Sequence, residues 1–315
     1  MTAGDTTAGR PCGESPETLG DCAKAGARIA EAGGLKSALL LAKPGIVAAS
    51  ALAGYAGMAL AARGAPPAGT AVAGLGALVM AAVGAAAING VLDAAPDRRM
   101  GRLARRSAAL AHFGERGVFA TACLIVAAAL ALALFRLDAL TASLIAAGVL
   151  SYTVVYTLWL KRRSPFGAIP GGIPGALPVL IGYAAVAGTL RADALVLFAV
   201  MLLWQPPHFW TLALKCRDDY RAAGIPVLPV VFGGRYTRAL IFLYATALIP
   251  ASLGLWLLGA ASGAFAVFAV IDGLMFLAAC YVYSVRSSRH AAAFLASIFY
   301  LAFLLIALIA DLCIA

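Results

Sequence analysis

The chain has 315 residues, 63% of them hydrophobic and 12% charged, with a mean hydropathy of +0.93 and a formal charge of +10 from 24 basic and 14 acidic side chains. A soluble domain carries about 25% charged and roughly 45–50% apolar residues, so a water-soluble enzyme, a disordered chain and a secreted disulfide scaffold are excluded. The apolar runs are unbroken rather than alternating, which excludes a transmembrane barrel and leaves an all-α fold, a polytopic membrane protein.

Residues 1–34 read as a polar, disordered cytoplasmic tail, and residues 35–315 as the membrane domain. The tail has no apolar core and five acids against three bases, so it is expected to be neither a signal peptide nor a mitochondrial transit segment. From Lys36 onward, apolar runs of about 20 residues, the length that crosses a hydrocarbon core as helix, recur nine times. They lie near 38–62, 69–92, 117–136, 139–158, 169–190, 192–214, 239–260, 263–284 and 291–311. The second and fifth are rich in Ala, Gly and Pro, small residues that let membrane helices approach closely.

Nine spans put the tail and the loops after the second, fourth, sixth and eighth spans on one side. Those segments hold 21 of the Lys and Arg residues, and the other side holds only Arg63, Arg136 and Arg191. The bias predicts a bundle of nine transmembrane helices with the N-terminus cytoplasmic and the C-terminus periplasmic, in a bacterial inner membrane. It also accounts for the positive charge, so the lipid bilayer and not a nucleic acid is the expected surroundings. The six cysteines form no CxxC pair and share no spacing, so none is expected to be a ligand or half of a disulfide.

Two loops on the basic side carry acids. The first contains Asn89, Asp93 and Asp97, spaced i, i+4, i+8 and so along one helical stripe, followed by Arg98, Arg99, Arg102, Arg105 and Arg106. Such oxygen ligands suit Mg²⁺, which takes one or two carboxylates and completes its octahedron with water and substrate phosphate. The arginines can bind the same phosphate oxygens bidentately. Pro96 falls within the stripe and is expected to disturb it. The second loop carries Lys215, Arg217, Asp218, Asp219, Tyr220 and Arg221, then Gly224 and Pro226. Together the loops can hold a diphosphate between them; alone, each also reads as an ordinary solvated, basic helix end.

Lys161, Arg162 and Arg163 close the fourth span on the same side, as diphosphate contacts or as snorkelling ends. In the sixth span, Trp204-Gln-Pro-Pro-His208-Phe-Trp210 places two prolines at membrane depth, predicting an interrupted helix of the kind tolerated beside a protein-lined cavity. His208 could ligate haem iron, act as a base, or be a hydrogen-bonded structural histidine. Asp272, inside the eighth span, must face the bundle interior; His112 and His290 read as loop residues.

At these residues the chain resembles the UbiA-type intramembrane prenyltransferases, and within them the protoheme IX farnesyltransferase (haem O synthase) family, from about Ala38 to the C-terminus. Asn89, Asp93 and Asp97 match the superfamily's NxxxDxxxD. The narrower family is matched by LAKP (to Lys43-Pro44), YTLWLKRRSP, GGIPGALPVLIGYAAVAG, WQPPHFW and DDYRAAGIPVLP. Departures are Ala95 in place of a third acid, Leu103 and Ser107 in the arginine run, and Ala222 where the superfamily has a second DxxxD.

The resemblance implies farnesyl diphosphate and haem B as substrates, a hydroxyethylfarnesyl group added at a haem vinyl, and Mg²⁺ as cofactor. It implies catalytic and metal-holding roles for Asp93, Asp97 and Asp219 with Asn89. Substrate contacts would come from Arg102, Arg106, Lys161, Arg162, Lys215, Asp218, Tyr220 and His208. The product would pass to haem A synthase or oxidase assembly factors. The rival readings are a sister prenyltransferase with an aromatic acceptor, which shares the aspartates but not the WQPPHF and DDYxxAGIPxLP strings, and a non-catalytic transporter or haem scaffold.

Overall fold

A computed structural model describes residues 33–314; most of the polar tail, with Cys12 and Cys22, lies outside the described residues. Among the described residues nine helices are long and apolar enough to cross a membrane: Pro44–Ala62, Ala68–Leu92, Glu115–Arg136, Ala139–Arg163, Pro170–Ala187, Ala192–Lys215, Gly233–Leu257, Gly263–Arg286 and His290–Ile314. They are the first to ninth spans below. A short helix, Gly33–Ala42, precedes the first span, and another, Ala104–Phe113, lies between the second and third. Cys123, Cys216, Cys280 and Cys313 are free.

Three local expectations change. The fourth span runs five residues past its apolar stretch, to Arg163, and its residues Ser151–Leu160 are wound as π-helix. Thr157 reinforces that winding by donating its hydroxyl to the Tyr152 carbonyl, five residues back, at 2.7 Å. The sixth span is continuous through Pro206 and Pro207 rather than interrupted. The two prolines remove only two amide donors, and both rings are buried among neighbouring spans that hold the flanking turns in line. His112 lies in the Ala104–Phe113 helix and His290 begins the ninth span, so neither is a loop residue.

Small residues set the closest helix contacts. A Cβ on Gly182 of the fifth span would land on the Gly54 carbonyl of the first, and one on Gly57 would land on the Val179 carbonyl. Glycine on both faces lets these two helices touch backbone to backbone. Large apolar side chains such as Leu124, Phe135, Leu243, Val267 and Met275 point outward, as a lipid-facing surface requires. At one end of the bundle, Lys161 meets Asp93 and Arg102 meets Asp219, joining the ends of the second, fourth and sixth spans. At the opposite end Arg63 pairs with Asp193 at 2.9 Å, and Asp311 accepts from the Ser262 amide at 2.8 Å. This is the grouping of loops on which the charge count relied.

Candidate active site

The second span ends at Leu92, and a single helical turn, Ala94–Asp97, continues it. Pro96 does not break the stripe. The Asp93 amide donates to the Asn89 carbonyl and the Asp97 amide to the Asp93 carbonyl, each at 2.9 Å, so all three side chains stay on one face. Pro96 deprives only the Leu92 carbonyl of its helical donor, and Arg162 donates to that oxygen at 2.8 Å. Asn89, Asp93 and Asp97 are buried, at 4%, 1% and 3% exposure.

Basic side chains from four segments converge on this row. Lys161 Nζ lies 2.6 Å from Asp93 Oδ2, which also accepts from Asn89 Nδ2 at 2.8 Å. Asn89 Nδ2 donates to Thr157 Oγ1 as well, at 2.9 Å. Arg106 pairs with Asp97, and Arg102 Nε lies 3.2 Å from Asp219 Oδ2 while its guanidinium covers the Tyr220 ring at 5.2 Å. Lys43 donates to Asn89 Oδ1 and reaches the Tyr152 hydroxyl at 3.4 Å. Tyr152 and Tyr156 stack at 6.2 Å, and Gly171 gives the Tyr156 ring its room.

Charge and burial act together here. Burial pushes the Lys43 ammonium well below its ordinary range, the Arg106 and Lys161 cations push the same way, and Asp93 pulls back. Burial likewise lowers Arg106, against the raising effect of Asp93. The Tyr220 phenol is raised by burial, with Arg102 opposing.

Not every expected site residue joins the cluster. Asp218 points to solvent with its side chain 91% exposed and pairs only with Arg221 at 2.9 Å. Lys215 is exposed, and Arg162, also exposed, caps the Leu92 carbonyl. Lys43 and Thr157 are the residues that sequence reasoning left out of the site. The signal for Lys43 was a lone lysine between apolar runs and immediately before a proline. Its left-handed backbone (φ 52°) turns the chain into the first span, whose first residue is Pro44.

His208 lies in a separate part of the bundle. Its ring is stacked between Trp204 and Phe294, at 4.3 and 4.6 Å. Its Nδ1 lies 2.7 Å from Ser297 Oγ, and that hydroxyl donates its one hydrogen to the Phe294 carbonyl at 2.6 Å. Nδ1 must therefore be the donor, which leaves the lone pair on Nε2. Trp204 Nε1 donates to the Ser297 carbonyl at 2.8 Å and fixes the same face.

The residues present fit a hard divalent cation supplied with phosphate oxygens. Asp93 Oδ1 and Asp97 Oδ1 are buried and accept no hydrogen bond, beside the amide oxygen of Asn89. A buried acceptor left unpaired is costly, and a cation would satisfy both. Among the described residues no three His, Cys, Asp or Glu side chains gather as a closed cage, so water or phosphate oxygens would have to complete the shell.

Residues 48–308 match the UbiA prenyltransferase family. The chain belongs to that family. It is therefore a multi-span membrane prenyltransferase, and its similar relatives place it among the protoheme IX farnesyltransferases. The protein of that name from Geotalea uraniireducens is 54% identical over 256 residues, 81% of this chain and 99% of the relative. Those from Photobacterium profundum and Aquifex aeolicus are each 38% identical, covering 87% and 77% of this chain and 87% and 83% of the relatives. A solved digeranylgeranylglyceryl phosphate synthase superposes with a TM-score of 0.71 at 17% identity, over 90% of this chain and 99% of the other. A UbiA homologue from Archaeoglobus fulgidus bound to DMAPP and Mg²⁺ gives 0.59 at 14% identity, over 87% and 99%. These solved structures share the fold of this chain.

Proposed function

We propose that the chain joins the farnesyl group of farnesyl diphosphate to a vinyl substituent of haem B, with water completing a hydroxyethylfarnesyl side chain, to give haem O. The observation that carries this reading is the buried row of Asn89, Asp93 and Asp97, with two unpaired carboxylate oxygens under a ring of lysines and arginines. Its acceptor comes from the 54% identity to a protein named protoheme IX farnesyltransferase.

Lys43, Lys161, Arg102 and Arg106 bind the diphosphate oxygens, and Asp219 positions Arg102. Asn89, Asp93 and Asp97, with Asp219 from the second loop as a further candidate ligand, would hold Mg²⁺, which when bound would offset charge building on the departing diphosphate. The carbon–oxygen bond to diphosphate breaks, and the vinyl π electrons form a bond to the farnesyl carbon. Water then adds to the carbocation beside the porphyrin ring and loses a proton. Enclosing the reacting carbons among the apolar spans would delay water until that bond has formed. His208, with its free Nε2, is assigned the haem contact.

The excess of Lys and Arg in the loops around it supports a diphosphate site on the cytoplasmic side of a bacterial inner membrane, with the N-terminus cytoplasmic and the C-terminus periplasmic. Haem A synthase or oxidase assembly factors would receive the product. Asp93→Asn and Asp97→Asn are expected to lower turnover at least about a thousandfold, several kcal/mol of lost charge stabilisation, while the protein still inserts. Wild-type turnover in either variant at controlled Mg²⁺ overturns the assignment.

A further inference from the structure

We infer that Arg238, Ser284 and His290, from the seventh, eighth and ninth spans, form a carboxylate site that holds a propionate of haem B and so orients the acceptor. The inference rests on the proposed function and deepens it, by naming the residues that recognise the acidic edge of the porphyrin.

Each of the three is a polar group on the packed face of its span, at the same end of the bundle as the aspartate row. Arg238 lies one turn before Ile241 and two before Ala245, both fully buried, and is itself only partly exposed. A Cβ on Gly234 would sit 3.5 Å from a terminal nitrogen of Arg238 and 3.6 Å from a Leu214 methyl, so the guanidinium folds back beside the end of the sixth span. Among the described residues Arg238 takes part in no ion pair. Arg235, Arg286 and Arg289 nearby are exposed and read as ordinary interfacial charges.

Ser284 is 0% exposed, and its Oγ meets no partner. Ser143, Ser151, Ser252 and Ser297 each donate to a carbonyl of their own helix, the usual way a serine is satisfied there. Ser284 does not. It lies in Cys280–Arg286, which is wound as π-helix and packs against both the seventh and the ninth spans. The Nδ1 of His290 is also buried without a partner, and its ring lies within electrostatic reach of Arg238. Buried polar groups left unpaired are costly, and an oxyanion would satisfy all three. Arg238 brings a charged fork, Ser284 a hydroxyl and His290 an Nδ1–H.

The ninth span links this site to His208. His290, Phe294 and Ser297 share one face of that helix at i, i+4 and i+7; Phe294 stacks on His208 and Ser297 lies against its Nδ1. From His290 to Ser297 the helix rises about 10 Å, which matches the reach from a porphyrin's iron to its propionate carboxylates. In haem B the vinyl groups lie on the edge opposite the propionates. Anchoring the acidic edge therefore turns the vinyls away from the seventh, eighth and ninth spans, towards the half of the bundle that carries Asp93 and Asp97. A lipid phosphate is an oxyanion available at the same depth, but nothing connects it to His208.

The test titrates the full chain in detergent with haem B and with its dimethyl ester, which keeps iron and vinyls and lacks both carboxylates, following the Soret band. The readout is the ratio of the two affinities, compared between variants in the same micelles. Arg238→Gln is expected to lower that preference for haem B by about tenfold, with ester affinity within about twofold of wild type. Ser284→Ala removes a buried donor that has no partner, so without haem it should melt no lower than wild type. Its preference for haem B should nevertheless fall by about threefold, which keeps the test intact if Arg238→Gln does not accumulate. Phosphatidylglycerol added to the micelles should leave the wild-type ratio unchanged; a ratio that collapses as this lipid rises gives the pocket to a lipid phosphate and overturns the inference. A wild-type ratio in both variants also overturns it and leaves farnesyl transfer standing. Haem B that gives no saturable Soret change with wild type overturns it together with the haem reading.

Discussion

Removing Lys161 should expose how much the acidic row depends on its bases. Asp93 is 1% exposed; its Oδ2 accepts from Lys161 at 2.6 Å and from Asn89 at 2.8 Å, and its Oδ1 accepts from no donor. Lys161→Met leaves a buried carboxylate with one neutral amide donor. Breaking a buried ion pair from one side costs about 3–5 kcal/mol, and the surviving Asn89 bond sets the value near the lower end, about 3 kcal/mol. Adding Asp93→Asn removes the stranded charge, so the double variant should recover about 2 kcal/mol of that loss. In a thermal melt of detergent-purified protein, at about 2 °C per kcal/mol for a chain of this size, the single variant should fall by about 6 °C and the double should regain more than half. Farnesyl transfer should stay absent from the double, because its metal-binding charge is gone. A single variant melting within about 2 °C of wild type, or a double no better than the single, refutes the pairing as the source of the row's stability.

Three further outcomes follow from the contacts. Asp219→Ala should lower turnover by about tenfold or more by releasing Arg102, while Asp218→Ala, an exposed carboxylate whose surface pair is worth about 0–1 kcal/mol, should stay within about twofold of wild type in the same assay. Ser297→Ala leaves the His208 Nδ1–H buried without an acceptor, a cost of about 1–3 kcal/mol; the Soret band on haem titration should change while Mn²⁺ binding in the presence of pyrophosphate does not. Gly182→Ala drives a methyl into the Gly54 carbonyl and should cost about 3 kcal/mol or more, read as lost accumulation in membranes, whereas Gly69→Ala meets no atom within 4 Å and should accumulate normally.

The nine spans among the described residues were legible because hydrocarbon thickness dictates length, a property of single segments. The Asn89, Asp93, Asp97 stripe was legible for the same reason, as a local spacing. It withstands Pro96 because the proline removes only one donor, which Arg162 replaces from another span. The rest depended on contacts between distant segments. Lys43 reads as a helix-end lysine until the fold sets it against Asn89, 46 residues away. The tautomer of His208 is fixed by Ser297, 89 residues later. Asp218 and Asp219 are equivalent in a string of letters. Only the turn Arg217–Ala222 separates them, with one carboxylate towards Arg102 and the other towards solvent. The proline pair and the π-wound fourth span escaped for a related reason: neighbouring helices, absent from a propensity, decide whether a helix tolerates them.

The most direct test of the central claim is made on membranes from cells expressing the chain, incubated with haem B, farnesyl diphosphate and Mg²⁺, the extracted haems then being separated and weighed. The account predicts a new haem heavier than haem B by one farnesyl group plus one hydroxyl, lost when the metal is chelated and absent from Asp93→Asn. Well-inserted protein that returns haem B unchanged, or that prenylates an aromatic acid in a parallel incubation instead, contradicts it.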